Sequence, residues 1–124
     1  MKAVIDASVV IHWLRTGDDF LMEKLDGVVS TVTVAELFSG ASAQRDGRQR
    51  DNLEIILKSW VQVAPNTEIA VLVGELKYTY RLSLGDAFVV ALAMDLGLPI
   101  ATLDKKDFGK IKGLEFYGVD KKRG

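Results

Sequence analysis

The sequence contains no cysteine and only one histidine, His12. The absence of cysteine excludes a disulfide framework and a metal site built from thiolates, and it is typical of a protein in a reducing compartment. A single imidazole cannot supply the ligands of an ordinary zinc site, so we expect His12 to pack or to lie on the surface. A zinc site is therefore not expected.

Long hydrophobic runs and a large net charge are also missing. The longest clean apolar run, residues 87–94, is too short to cross a bilayer. The apolar start of the chain carries Asp6 and His12, with no cleavage pattern behind it, so a signal peptide is not expected. We expect a cytoplasmic protein without a membrane segment. The formal net charge is −1, so binding of nucleic acid would need local basic patches or bound metal ions.

The chain has enough apolar sequence for one core. Hydrophobic residues make up 48% of the 124 positions, which favours a single domain over residues 1–124. Strands are predicted over residues 2–5, 28–31, 61–63, 100–103 and 115–119. Helices are predicted over residues 7–15, 20–25, 34–43, 53–60, 67–80, 84–96 and 105–110. This alternation predicts an α/β fold with three layers, α/β/α, in which a mostly parallel central sheet is covered on both faces.

Local signals mark helix ends and one loop. Gly27 is predicted to close the short second helix, and Thr33 to cap the third. Ser83 is predicted to cap the helix that ends at Gly97. Residues 44–52 are dense in charge, so we expect an exposed, mobile loop or a frayed helix start there.

Four acidic residues lie where a strand ends or a helix begins. Asp6 and Asp104 follow predicted strands, while Glu36 and Asp86 each come three residues after a Thr or a Ser. Taken singly, each has an ordinary explanation. Asp6 and Asp104 could be N-caps, and the other two could be the acidic members of capping boxes.

Taken together, the four acids indicate a shared site. The carboxyl ends of parallel strands meet at one edge of a sheet, where ligands bind in open α/β folds. Carboxylates gathered there would repel one another, and helix N-termini would relieve only part of that repulsion. A divalent cation would relieve most of it, and Mg²⁺ or Mn²⁺ prefers oxygen ligands.

An ordered set of short segments spans nearly the whole chain: residues 4–8 (VIDAS), 33–37 (TVAEL), 84–87 (LGDA) leading into 90–93 (VALA), and 102–104 (TLD), with Asp107 and Phe108 close behind. No one of these segments is specific, but their order and spacing are. Because it contains these segments in this order, the sequence resembles the PIN-domain family, and within that family it resembles the small VapC-type toxins of bacterial and archaeal toxin–antitoxin pairs.

The resemblance implies a Mg²⁺- or Mn²⁺-dependent endoribonuclease. Its catalytic acids would be Asp6, Glu36, Asp86 and Asp104. Asp6 and Asp86 would be the central metal ligands, and the other two acids would complete the metal site directly or through water. The implied partners are an RNA substrate, a small antitoxin protein and a second copy of the chain.

Three further residues belong to the implied site. The hydroxyls of Ser8 and Thr102 would lie near the metal or the scissile phosphate. Asp107 is an alternative to Asp104 as the fourth acid, and we favour Asp104 because it directly ends the predicted strand. The chemistry agrees with the resemblance, because carboxylate-held Mg²⁺ can activate a water and neutralise phosphate charge.

Basic residues and apolar helix faces provide surfaces for partners. The candidate contacts to an RNA backbone are Arg15, Arg45, Arg48, Arg50, Lys105, Lys106 and Lys110, although such charges can also be an ordinary solvated surface. Two apolar helix faces favour a homodimer: Leu53, Ile56, Leu57 and Trp60, and Ile69, Val73, Leu76 and Tyr80. The alternative is that both helices simply pack on the sheet.

Two other functions are open at this point. A phosphorelay receiver is also a small parallel α/β domain with an acidic pocket, but its paired N-terminal acids and mid-chain acceptor are missing here. A non-catalytic, PIN-like binding module would share the fold and lack a working metal site.

Overall fold

The computed structural model describes residues 2–19 and 22–117. Strands and helices alternate along the chain as β1 (Lys2–Ile5), α1 (Ala7–Thr16), β2 (Asp26–Ser30), α2 (Thr31–Ser39), α3 (Ala41–Arg45), α4 (Gly47–Lys58), β3 (Val61–Val63), α5 (Thr67–Tyr80), α6 (Leu84–Leu96), β4 (Ile100–Ala101) and α7 (Lys105–Phe108). No helix among these residues combines the length and the apolar composition that crossing a membrane requires.

The four strands in the described part of the chain form one parallel sheet in the order β3-β2-β1-β4. The chain runs outward from β1 through β2 to β3 and then returns to place β4 on the other side of β1. The strand order therefore reverses between β1 and β4. Such a reversal opens a crevice at the carboxyl ends of the strands, which is the usual ligand site of this kind of sheet.

Helices cover both faces of the sheet, so the predicted three-layer α/β/α fold is confirmed. Successive strand residues point to opposite faces. Ile5 and Val29 lie in one buried cluster with apolar residues of α1, α2 and α4. Val4 and Ile100 lie in a second cluster, with α5, α6 and α7.

The two apolar helix faces on which the dimer prediction rested are mostly inside the molecule. Leu53, Leu57 and Trp60 are buried in the first cluster. Ile69, Val73 and Leu76 are buried in the second cluster. These residues therefore pack on the sheet within one chain.

The expected helix end at Gly27 is wrong, because Gly27 lies inside β2. A Cβ at this position would lie 2.6–2.8 Å from atoms of the Trp60 ring. The glycine therefore serves the packing of that ring rather than a turn. Residues 22–24 form a turn, whereas Phe20 and Leu21 of the predicted second helix lie outside the described residues.

The start of α2 also differs from its prediction. Ser30 caps this helix, with its side chain accepting a hydrogen bond of 3.0 Å from the backbone N–H of Val32. Thr33 lies inside the helix and is 1% exposed, and its hydroxyl has no hydrogen-bond partner among the described residues. Glu36 is therefore in the second turn of α2 and is not the acid of a capping box.

Residues 44–52 are mostly helical rather than a loop. They span the end of α3 and the first half of α4, and Asp46 caps α4 by accepting a hydrogen bond of 3.1 Å from the N–H of Gln49. The predicted last strand is reduced to one bridge between Ile100 and Phe116, and residues 118–119 lie outside the described part of the chain. The predicted cap at Ser83 and the helix end at Gly97 are confirmed.

Candidate active site

Asp6 lies at the crevice between β1 and β4 and is held there by two hydroxyl groups. Its side chain is almost buried, with 7% of the residue exposed. Its Oδ2 atom accepts hydrogen bonds from Ser8 Oγ at 2.6 Å and from Thr102 Oγ1 at 2.8 Å. Asp6 occupies the N-cap position of α1, but its side chain makes no capping hydrogen bond. The cap explanation for this acid is therefore wrong.

The same two hydroxyls also fix the backbone that carries Asp104. Ser8 Oγ accepts a hydrogen bond of 3.0 Å from the N–H of Leu103, and Thr102 Oγ1 accepts one of 2.9 Å from the N–H of Asp104. The Asp104 side chain makes no capping hydrogen bond to α7. Ser8 and Thr102 therefore connect the two acids that follow neighbouring strands.

Glu36 reaches the site from α2 and lies against the first turn of α6. A Cβ built on Gly85 has three atoms of the Glu36 carboxyl group as its nearest neighbours, including Cδ at 2.8 Å. The carboxylate therefore occupies the space that a side chain at residue 85 would need. This role of Gly85 was not predicted from the sequence, where its one signal is a glycine in the first turn of a helix, directly before an acid.

Asp86 lies in the first turn of α6, and Ser83 caps this helix with a hydrogen bond of 3.1 Å from the N–H of Asp86. Burial raises the pKa of Asp86 above its ordinary value, and the charges of Asp6, Asp107 and Asp104 raise it further, whereas a hydrogen bond with Ser83 lowers it. Asp86 is thus electrostatically coupled to three other acids.

Burial and the same repulsion raise the pKa values of two more acids. For Glu36, burial raises the pKa most, followed by the charges of Asp6 and Asp86. For Asp104, burial again comes first, followed by Asp6 and Asp107. The four predicted acids and Asp107 therefore form one electrostatic cluster, as the topology of the sheet led us to expect.

Two clefts meet at this cluster. The first, which we call the α1 cleft, has a volume of about 520 Å³ and is lined by Asp6, Ser8, His12, Arg15, Asp86, Leu103 and Asp104, among others. The second, the α7 cleft, has a volume of about 300 Å³ and is lined by Arg81, Leu82, Ser83, Asp86, Lys106, Asp107 and Lys110. Asp86 lines both clefts and therefore lies at their junction.

The structure places only some of the candidate RNA-binding residues at the two clefts. Arg15 lines the α1 cleft, and Lys106 and Lys110 line the α7 cleft. Arg45 and Arg48 belong to α3 and α4 and line neither cleft. The ammonium group of Lys105 lies over the ring of Phe116, 5.6 Å from its centroid.

Arg81, which sequence analysis missed, lines the α7 cleft. It ends α5 in a left-handed conformation with φ of 57°. The sequence shows no signal for this conformation, because such positions favour Gly or Asn.

The site offers oxygen donors, which are the ligands that a hard divalent cation prefers. They are carboxylate oxygens with neighbouring hydroxyls, and three of the acids have raised pKa values that a cation would lower. Among residues 2–19 and 22–117, no three acidic or histidine side chains are grouped closely enough to surround one ion. A cation at this site would therefore need waters or substrate phosphates to complete its coordination, as Mg²⁺ commonly does in proteins.

Residues 3–114 match the family model described as the PIN domain. The chain belongs to the PIN domain family. The predicted resemblance is therefore confirmed, and the phosphorelay receiver is set aside because it is a different kind of domain. A comparison with curated proteins gave no match.

Solved structures share the fold of this PIN domain. A toxin–antitoxin complex from Klebsiella pneumoniae contains a chain with 25% sequence identity and a TM-score of 0.73, over 90% of this chain and 94% of that one. VapBC-1 from nontypeable Haemophilus influenzae gives 21% identity and a TM-score of 0.75, over 94% and 97% of the two chains. A DNA-bound VapBC from Salmonella typhimurium gives 17% identity and a TM-score of 0.78, over 94% of this chain and 97% of that one.

Proposed function

We propose that this PIN domain is a Mg²⁺- or Mn²⁺-dependent endoribonuclease and the toxin of a toxin–antitoxin pair. The observation that carries the proposal is the convergence of Asp6, Glu36, Asp86 and Asp104 where the strand order reverses, with raised pKa values for the last three. Carboxylates gathered in this way raise one another's pKa unless a cation is bound, so their arrangement favours a metal site over four separate helix caps.

Asp6 and Asp86 are the residues that would hold the cation directly, with Glu36 and Asp104 completing the site directly or through water. When bound, the cation would activate a water and neutralise phosphate charge during hydrolysis. Ser8 and Thr102 fix the Asp6 carboxylate, so this ligand is oriented before substrate arrives. The raised pKa of Glu36 makes its carboxylate a better acceptor for the proton of an attacking water.

The toxin role is supported by the similarity to the chain from the Klebsiella pneumoniae toxin–antitoxin complex, which extends over nearly the full length of both chains. It implies a small antitoxin protein as the partner that restrains the nuclease. Co-expression with the product of a short gene directly upstream, followed by purification, tests this partner. Stable co-purification together with loss of nuclease activity is the expected result, and an unaffected activity would contradict it.

A homodimer remains part of the proposal, although the helix faces first considered for it are buried. The exposed apolar residues of α5 give it a different basis, because Val71 is 58% and Tyr78 is 88% exposed and the two lie seven positions apart on one face of the helix. Light scattering at micromolar concentration tests the dimer. A dimer mass that falls to a monomer mass in Tyr78→Glu is expected, and a monomer mass for the wild type would contradict it.

The nuclease activity is tested by sequencing the RNA ends that appear when purified protein is incubated with total RNA. New internal ends are expected with Mg²⁺ or Mn²⁺ and not with EDTA. The Asp6→Asn variant is the matched control, because it keeps the size of the side chain and removes its charge. If the wild type neither binds Mg²⁺ nor produces new ends, the chain is a non-catalytic binding module.

A further inference from the structure

The two clefts together form one path across the acidic cluster. Asp86 lines both of them, so a polymer that occupies both clefts passes directly over the acids. The α1 cleft contributes Arg15 on one side of the acids. The α7 cleft contributes Arg81, Lys106 and Lys110 on the other. Positive charge is therefore available on both sides of the proposed scissile position.

The three cations of the α7 cleft are free to bind an external anion. All three are exposed, and none of them has an ion-pair partner among the residues that the structure describes. Two carboxylates, those of Asp86 and Asp107, share the cleft with them. The three cations outnumber these two carboxylates, so the lining of the cleft carries a net positive charge even without a bound metal ion.

The backbone at Arg81 supports a binding role for its side chain. Its φ of 57° lies in the left-handed region, which is unfavourable for a non-glycine residue and readily adopted by glycine. The next residue, Leu82, is buried and anchors the turn between α5 and α6. The structure thus holds an arginine, at a cost in stability, where a glycine would be the easier residue.

We propose that a single strand of RNA crosses the acidic cluster from the α1 cleft to the α7 cleft, with backbone phosphates on one side bound by Arg15 and on the other by Arg81, Lys106 and Lys110. This inference rests on the proposed nuclease function and adds the course of the substrate. Asp6 is only 7% exposed, so the scissile phosphate must enter the crevice, which a bent single strand can do more easily than a rigid duplex.

Binding of a labelled single-stranded RNA in EDTA, followed by fluorescence anisotropy at several salt concentrations, tests the path without cleavage. The variants are Arg81→Gly, which keeps the backbone conformation favourable, and Lys110→Ala. Each is expected to weaken binding severalfold and to reduce the slope of log K against log salt by about 0.7, the value for one lost phosphate contact with a single strand. Lys58→Ala is the matched control, because this exposed lysine of α4 lines neither cleft.

Unchanged slopes in both variants would overturn the path, as would tighter binding of a duplex than of the single strand. Arg81→Lys should restore most of the slope, since it returns a positive charge. The outcome for the path is distinguishable from that for the nuclease. Reduced slopes with no metal-dependent cleavage by the wild type would support the path and refute the nuclease. Metal-dependent cleavage with unchanged slopes would support the nuclease and refute the path.

Discussion

Substitution of Gly85 by alanine should displace the Glu36 carboxylate with little harm to the fold. The new Cβ would lie 2.8 Å from Cδ of Glu36, well inside van der Waals contact, and the nearest atoms to it all belong to Glu36. Because that side chain is flexible and reaches in from α2, it can move aside. Relief of the contact requires a shift of about 1 Å, judged against an ordinary carbon–carbon separation of about 3.5–4.0 Å.

The expected effects on stability and on activity have opposite signs. Alanine in place of glycine within a helix stabilises by roughly 0.5–1 kcal/mol, and Gly85 is the second residue of α6, where less of that gain applies. The unfolding free energy in EDTA should therefore stay level or rise slightly. A displacement of about 1 Å in a catalytic group can cost on the order of 100-fold in rate, so we expect a fall of that size in metal-dependent kcat/KM.

The assay combines urea unfolding in EDTA with cleavage of a fluorescent RNA at saturating Mg²⁺. Glu36→Asp, alone and combined with Gly85→Ala, completes a double-mutant cycle. The shorter aspartate withdraws its carboxylate from the new methyl group, so Gly85→Ala should cost only a few-fold in that background. The two substitutions are thus expected to be strongly non-additive.

Two results would refute this reasoning. Activity of Gly85→Ala within about twofold of the wild type would show that the position of Glu36 does not matter to the reaction. A loss of more than about 2 kcal/mol in unfolding free energy would show that the methyl group disrupts the packing of α6 instead of moving Glu36.

Further predictions follow from the electrostatics and the packing. In EDTA, Asp6→Asn and Asp86→Asn should have the melting temperature of the wild type or a slightly higher one, because each removes charge from a repelling cluster. Both variants should lose most of the rise in melting temperature that millimolar Mg²⁺ gives the wild type. Equal Mg²⁺ shifts in all three proteins would argue against a shared site. The pKa of Asp86 is raised in the native state, so the native state holds this proton more tightly than the unfolded chain does. The metal-free wild type should therefore become less stable as pH rises from about 3.8, the ordinary pKa of an aspartate, towards neutrality. Urea melts should show a smaller decline for Asp86→Asn. Thr102→Val removes a buried hydroxyl that bonds both Asp6 and a backbone N–H, and it should cost about 1–3 kcal/mol in urea melts, whereas Thr102→Ser should retain most of the stability. Gly27→Ala should lose about 1–3 kcal/mol or more, because the rigid Trp60 ring cannot move aside as Glu36 can; wild-type stability would contradict this packing.

The sequence determined the layers of the fold and the location of the acids. β-branched runs and helical apolar spacing predict parallel strands between helices, because a period of two or of 3.6 residues shows which faces must be buried. Asp6 and Asp104 follow strands directly or closely in the sequence. Since carboxyl ends of parallel strands share an edge, their proximity could be inferred without coordinates.

Local patterns could not decide between neighbouring candidates for one role. Ser30 and Thr33 are both good N-cap residues, and the structure uses Ser30 because β2 already ends there. Gly27 could close a helix or lie in a strand, and the choice follows from Trp60, which is distant in sequence and packs on that backbone.

Only the tertiary structure decided which distant residues touch. The contact between Glu36 and Gly85 depends on the relative placement of α2 and α6, which no spacing in the chain encodes. The burial of both apolar helix faces has the same origin, since it depends on how much of the sheet each helix covers. The placement of Arg81 beside the acids follows from a left-handed turn that an arginine does not signal, so the α7 cleft became visible only when α5, α6 and α7 were assembled around it.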